Sequence, residues 1–193
     1  IPAIVNAWSY GQYGGTAVAQ ALFGQVNPSG HLPVTFYNST DDLPDFSDYS
    51  MAPSDHSPGR TYRYFTGKPL YPFGFGLSYT TFSFTGLSAA KESATDQNLQ
   101  VAVTVTNTGS RAGDAVAQLY LSPDGAHPDL PHESLVGFQR VSLAPKQSAV
   151  VHFTVTPYQL GQIDKEGHRI VSPGLLHLHC GGSSEFDTHT PAA

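Results

Sequence analysis

Four carboxylates crowd one short polar stretch: Asp41, Asp42, Asp45 and Asp48, with Asp55 a few residues further on. Two carboxyl groups whose pKa values are held apart can divide general-acid and general-base work between them. That division needs rigid support and a desolvated or partnered environment. Residues 38–58 instead have the proline- and serine-rich composition of a loop draped over a surface. The sequence therefore favours surface or ion-pairing roles for these aspartates. Calcium is not favoured either, because the D-x-D-x-D-G spacing of a calcium loop is missing.

A second group is Arg60, Tyr62, Arg63 and Tyr64. On an extended chain this interleaving suggests arginines on one face and tyrosines on the other. Aromatic faces can stack on pyranose rings while guanidinium groups donate to hydroxyls, which would make a sugar platform. The alternative is a clamp, with the arginines paired to loop aspartates and the rings packed between two bodies. The clamp is favoured, because aromatic area is most often core.

Other chemistry-bearing residues give weaker signals. His177 and His179 alternate with Leu176, Leu178 and Cys180. The period of two sends the leucines and the thiol into a core and the histidines to a solvated face. Further ligands at metal-binding spacing are lacking, so no metal and no cofactor is expected. Gly11, Gly14 and Gly15 precede a helical pattern but fit neither the P-loop nor the dinucleotide fingerprint. Asn38-Ser39-Thr40 is a glycosylation sequon, meaningful only in a secreting eukaryote.

The elements that must position these groups fall into three stretches. Ile1 to Trp8 reads as a buried strand, followed by a helix with Val18, Ala19 and Leu22 on one side and Gly24 as its terminator. Asn27-Pro28-Ser29-Gly30 has the residue order of a type I turn, and His31 to Tyr37 reads as a second strand. Strand, helix and strand in that order suggest the last βαβ unit of an α/β sheet. The chain opens inside an apolar run without a signal pattern, which reads as the back end of a longer polypeptide.

From Gly59 to Phe84 runs GRTYRYFTGKPLYPFGFGLSYTTFSF, with nine of the chain's 11 phenylalanines and 10 tyrosines. Pro69 and Pro72 argue against a helix, and Gly74 and Gly76 invite positive φ. So much ring area demands burial, so the stretch reads as an extended segment pinned between packed bodies. Beyond about Leu87 the pattern turns to period two. It appears at Leu99, Val101, Val103 and Val105, at Ala115, Ala117, Leu119 and Leu121, at Val151, Phe153 and Val155, and at Leu176, Leu178 and Cys180. Short alternating strands with turn signals between them indicate an antiparallel β-sandwich of about 100 residues.

Bulk composition narrows the function classes. The net charge is −6, with nine basic residues thinly spread, so no nucleic-acid partner is expected. Nor is a membrane span, since no apolar run approaches the ~20 residues one needs. One cysteine excludes an intramolecular disulfide framework.

Three segments together resemble the C-terminal portion of glycoside hydrolase family 3. GQYGGTAVAQALFGQVNPSGHLPVTF (11–36) is similar to the family's glycine turn, helix and NPSG-x-LPVT strand. GRTYRYFTGKPLYPFGFGLSYTTF (59–82) is similar to its R-x-Y-R-Y…PLYPFGxGLSYTxF join. VTVTNTGSRAGDAVAQLYL (103–121) and ESLVGFQRVSL (133–143) resemble its closing fibronectin type III-like domain. The resemblance covers roughly 1–184, and GRTYRYFTG points to the branch of β-xylosidases and related β-glucosidases.

The resemblance implies an α+β two-part chain, a remnant of an α/β sandwich domain followed by an antiparallel fibronectin type III-like (immunoglobulin-like) β-sandwich. Its divisions are 1–58 for the remnant and acidic loop, 59–86 for the aromatic join, 87–184 for the fibronectin-like domain and 185–193 for a polar tail. The parent implied is a retaining, exo-acting β-glycosidase that releases terminal β-linked xylose or glucose from oligo- or polysaccharides and is extracellular or periplasmic. Its nucleophile and acid/base belong to regions before this chain. No catalytic residue is therefore carried over, and the chain's expected partners are the missing N-terminal catalytic domains. Two other readings are a carbohydrate-binding or cell-surface adhesion module and a structural piece of a multi-chain enzyme. Exposure of Tyr62, Tyr64, Tyr71 and Phe73 discriminates a platform from a join.

Overall fold

A computed structural model describes residues 3–91, 97–124, 130–163, 166–171 and 176–184. The expected polar tail and the Pro173-Gly174 turn lie outside these residues. In chain order the helices are α1 (Gly14–Leu22), α2 (Thr61–Tyr64) and α3 (Pro157–Leu160), with one 3₁₀ turn at Thr40–Asp42. The strands are β1 (Phe82–Ala90), β2 (Leu99–Asn107), β3 (Gly113–Pro123), β4 (Ser134–Leu143), β5 (Ser148–Val155), β6 (Gln162–Ile163), β7 (Arg169–Ile170) and β8 (Leu176–Gly181).

Two antiparallel three-stranded sheets, β1-β2-β5 and β4-β3-β8, enclose the core, and β6 and β7 form a separate small hairpin. The period-two positions meet there: Val101, Val103 and Val105 of β2, Ala115, Ala117 and Leu119 of β3, and Val151, Phe153 and Val155 of β5 are all buried. Leu178 and Cys180 of β8 pack against the same cluster. The expected antiparallel β-sandwich is thus the architecture of this part of the chain.

Two strands lie where alternation is broken. In β4, Gly137 faces Leu119 but Leu135 faces Tyr120, so Val136 is an extra residue that shifts the pattern by one. In β1, Gly86 and Leu87 together stand against the single residue Val103, between the pairs Thr85–Thr104 and Ser88–Ala102. β1 also begins inside the aromatic run, so the run and the sandwich share a strand.

Asn107 closes the end of the sandwich and is fully buried. Its carboxamide nitrogen donates to the Arg111 carbonyl at 2.7 Å and the Leu143 carbonyl at 3.1 Å. Its oxygen accepts from the Thr80 hydroxyl at 2.7 Å and the Gly109 amide at 3.1 Å. One side chain thus ties the aromatic run to the ends of β2 and β4 and to the turn before β3, with every polar position satisfied.

The N-terminal stretch departs from expectation in detail. The helix forms as Gly14–Leu22, and Gly24 follows it at φ +69°, the left-handed position that ends helices. Residues 3–10 form no strand, and 31–37 contribute only one bridge, from Phe36 to Tyr71. A strand needs a neighbour for its amides, and the neighbour of 31–37 is the aromatic run, where Pro33 and Pro72 interrupt the ladder. The bonds that form include Leu32 N–H to Phe75 O, Gly74 N–H to Leu32 O, Phe36 N–H to Tyr71 O and Leu70 N–H to Phe36 O, at 2.7–2.9 Å. Asn27-Pro28-Ser29-Gly30 is not a turn. Asn27 instead accepts from Ser78 Oγ at 2.8 Å and Tyr79 N–H at 2.7 Å and donates to the Ala112 carbonyl at 2.9 Å, long-range bonds a local turn could not supply.

Cys180 sits opposite Leu119, and burial pushes its thiol up to about 12. Ellman's reagent at pH 8 is expected to leave the folded chain unmodified and to titrate one thiol in denaturant; rapid reaction of the native protein would contradict the core placement.

Candidate functional site

The outer face of a sandwich sheet is ordinarily solvated, yet in β3 it carries Gln118 and Tyr120, 3% and 0% exposed. The aromatic run covers them. Tyr62 stacks on Phe73 with ring centroids 4.3 Å apart and meets Tyr120 edge-on at 6.0 Å. Its hydroxyl accepts from the Leu135 amide of β4 at 3.1 Å, and burial pushes its pKa up. Tyr71 meets Phe75 at 5.2 Å and Phe36 at 6.2 Å, and Tyr37 meets the fully buried Phe65 at 4.7 Å. Tyr62, Tyr64, Tyr71 and Phe73 are all half-buried.

Beneath the rings lies a polar knot. Gln118 Nε2 donates to the carbonyls of Gly182 at 2.6 Å and Gly74 at 3.2 Å, while its Oε1 accepts from the Tyr120 hydroxyl at 2.6 Å. Gly74 O also takes a bond from His31 Nδ1 at 2.5 Å. Gly74 has φ +78°, and a Cβ there would stand 2.1 Å from Gln118 Oε1, so both conformation and contact require glycine. Gly76 is needed for another reason: its φ is not positive, but a Cβ would lie 2.4 Å from the Gly30 carbonyl.

The prolines do not keep the whole run extended. Ahead of them, Thr61–Tyr64 makes one helical turn, so the facing expected for Arg60, Tyr62, Arg63 and Tyr64 on a strand does not arise. Tyr62 turns into the seam. Arg60 Nε donates to Ser50 O at 3.1 Å and its Nη2 to Asp48 O, so it grips loop carbonyls rather than aspartate carboxylates. Arg63 is exposed, with its guanidinium carbon 5.8 Å from the Tyr64 ring centre.

His179 also departs from expectation. Paired with Tyr120, it faces the covered side of the sheet, stacked on the tyrosine ring at 4.9 Å, with Nε2 3.2 Å from the buried Glu133 Oε2. Burial holds its pKa below the ordinary 6.5. Alternation correctly separated the histidines from the core, but the aromatic run makes the opposite face interior too. His177 is half-buried and lies 3.0 Å from Asp124.

The acidic stretch is built into local turns. Asp42 accepts from the Ser39 amide at 3.0 Å, Asp45 from Ser47 N–H at 2.8 Å and Asp48 from Ser50 N–H at 2.8 Å. Hydrogen bonds from Ser47 and Ser50 lower the pKa values of Asp45 and Asp48, which favours the charged form and works against a general-acid role. Among the described residues no group of three or more His, Cys, Asp or Glu converges as a metal site.

The profile of the glycosyl hydrolase family 3 C-terminal domain matches residues 1–79, and that of the fibronectin type III-like domain matches 115–184. A xylan 1,4-beta-xylosidase from Xylanibacter ruminicola is 45% identical over 94% of this chain, which spans 20% of that relative. Beta-glucosidase 3B from Thermotoga neapolitana has a TM-score of 0.78 and 32% identity over 92% of this chain and 26% of its own. A GH3 exo-beta-xylosidase solved with a xylobiose aziridine probe has a TM-score of 0.77 and 30% identity, covering 88% of this chain and 25% of its own. The chain therefore spans a fifth to about a quarter of the length of these relatives.

Replacing Gln118 with Leu keeps the volume but strands the Gly182 carbonyl and the Tyr120 hydroxyl. It is expected to cost about 1–3 kcal/mol in urea unfolding; an unchanged midpoint would show that the knot bears no stability. For His179, the lowered native pKa means that the unfolded chain binds protons more readily below pH 6.5. Stability is full above that value and falls as pH drops through the native pKa. In His179→Phe, which keeps a ring on Tyr120, the loss between pH 7.5 and pH 5 should be smaller than in the parent chain.

Proposed function

The chain belongs to glycosyl hydrolase family 3, and from that premise we propose that it is a structural, catalytically silent part of a retaining, exo-acting β-glycosidase. The parent enzyme would release terminal β-linked xylose or glucose from oligosaccharides. A retaining mechanism requires two carboxyl groups about 5–5.5 Å apart, one as nucleophile and one as acid/base. Asp42, Asp45 and Asp48 are engaged as turn caps, and no other residue of the chain matches a catalytic motif. On this reading the chemistry belongs to preceding domains, and the relatives are about four to five times as long as this chain.

The observation that carries this reading is the contrast between the seam and the surface beside it. The join turns Tyr62 inward, where it is stacked, hydrogen-bonded and half-buried. Nearby, Ile4, Val5, Trp8, Leu22 and Phe23 stand 55–82% exposed, and α1 buries none of its residues. Apolar surface on that scale usually marks an interaction site. It fits a chain that packs against the preceding catalytic domains of the same polypeptide. Inward-facing rings also argue against the adhesion-module reading, which needs them as an open platform.

Purified chain mixed with 4-nitrophenyl β-xyloside or β-glucoside is expected to release no nitrophenol above buffer, while the full-length protein turns over at least one of them. Turnover by the chain alone at rates of order 1 s⁻¹ would overturn the proposal.

A further inference from the structure

The four residues flagged in the join divide into two pairs. Arg60 and Tyr62 have polar atoms bonded within the fold, to loop carbonyls and to the β4 backbone. The backbone carbonyls of Arg63 and Tyr64 meet His132, at 2.6 Å to its amide and 3.1 Å to its Nε2, but among the described residues the Arg63 guanidinium donates no hydrogen bond, and its contact is the Tyr64 ring. Arg63 and Tyr64 both line a cleft of about 380 Å³ whose lining also includes Tyr158 of α3 and Arg169 of β7.

The Tyr158–Arg169 pair is pre-organised. Arg169 lies 3.9 Å from the centre of the Tyr158 ring, and its Nη1 donates to the carbonyls of Tyr158 at 2.9 Å and Gly161 at 2.8 Å. The guanidinium is thereby fixed in orientation while Tyr158 stays 70% exposed. Among the described residues, the charged groups lining the cleft are Arg63 and Arg169. Two guanidinium groups on one cleft favour an anionic ligand. Tyrosine walls suit a ring with C–H faces, and a guanidinium fork suits a carboxylate. The size is within the ordinary range for small-ligand clefts, about 300–1,000 Å³.

We propose that the cleft between Arg63–Tyr64 and Tyr158–Arg169 is a binding site for a carboxylate-bearing sugar, a uronic acid unit on an oligosaccharide. The proposal rests on the reading of the parent as a carbohydrate-active enzyme. The site would hold acidic branches of a substrate without taking part in hydrolysis. Arg63 supplies the free charge, Arg169 a fixed one, and the two tyrosines the ring contacts.

The test is isothermal titration of the chain at low salt with a glucuronic-acid-substituted xylo-oligosaccharide, its neutral counterpart and inorganic phosphate. The acidic sugar should bind at least about tenfold more tightly than the neutral one. Arg63→Ala should abolish that difference while leaving the thermal midpoint unchanged, because the Arg63 side chain is exposed, and Arg63→Lys should restore part of it. Equal affinities, no binding by either sugar, phosphate binding as tightly as the acidic sugar, or indifference to Arg63→Ala would each overturn the proposal. These titrations read binding alone, so hydrolysis of an aryl glycoside by the chain would defeat the structural reading above without altering their outcome.

Discussion

A buried carboxamide on the wrong side of a sheet sets the terms for this structure. Gln118 points away from the sandwich core, where a sheet face could meet water, yet it is sealed. Its donors and acceptor are matched only when the Gly74 and Gly182 carbonyls and the Tyr120 hydroxyl are all in place. A buried amide with a missing partner costs more than the bond itself contributes. The aromatic run must therefore lie across β3 in one register, with a glycine at closest approach. The second core, built of rings rather than aliphatic side chains, follows from that register.

The sandwich was legible because its signal is local. Val101, Val103 and Val105 face one side because of the pleat alone, and a period of two needs no knowledge of neighbours. β4 was harder, because the extra residue at Val136 breaks its alternation. The N-terminal stretch was misread in detail for a different cause. The apolar run before α1 has strand composition, but strand structure is a relation between chains of amides, and among the described residues none pairs with 3–10. Asn27 and His179 fail in the same manner: their types suggested a turn and a solvated face, and in each case a distant segment decided otherwise.

The candidate site was legible in composition and not in division of labour. Arg60, Tyr62, Arg63 and Tyr64 stood out together, but one helical turn sends them in different directions. Nothing in a strand-like reading could separate the arginine held by loop carbonyls from the one left with an aromatic ring. Tyr158 and Arg169, nearly a hundred residues away, carried no signal at all until the fold brought them to the same cleft.

The shared strand has a consequence for how such a domain travels through evolution. β1 starts within the aromatic run, and Tyr120, Gln118 and His179 need that run as a roof. A recombination event that copied only the sandwich would deliver an open sheet edge and a sticky, half-hydrated face. The unit that closes both faces of this sheet is consequently the sandwich together with its aromatic leader.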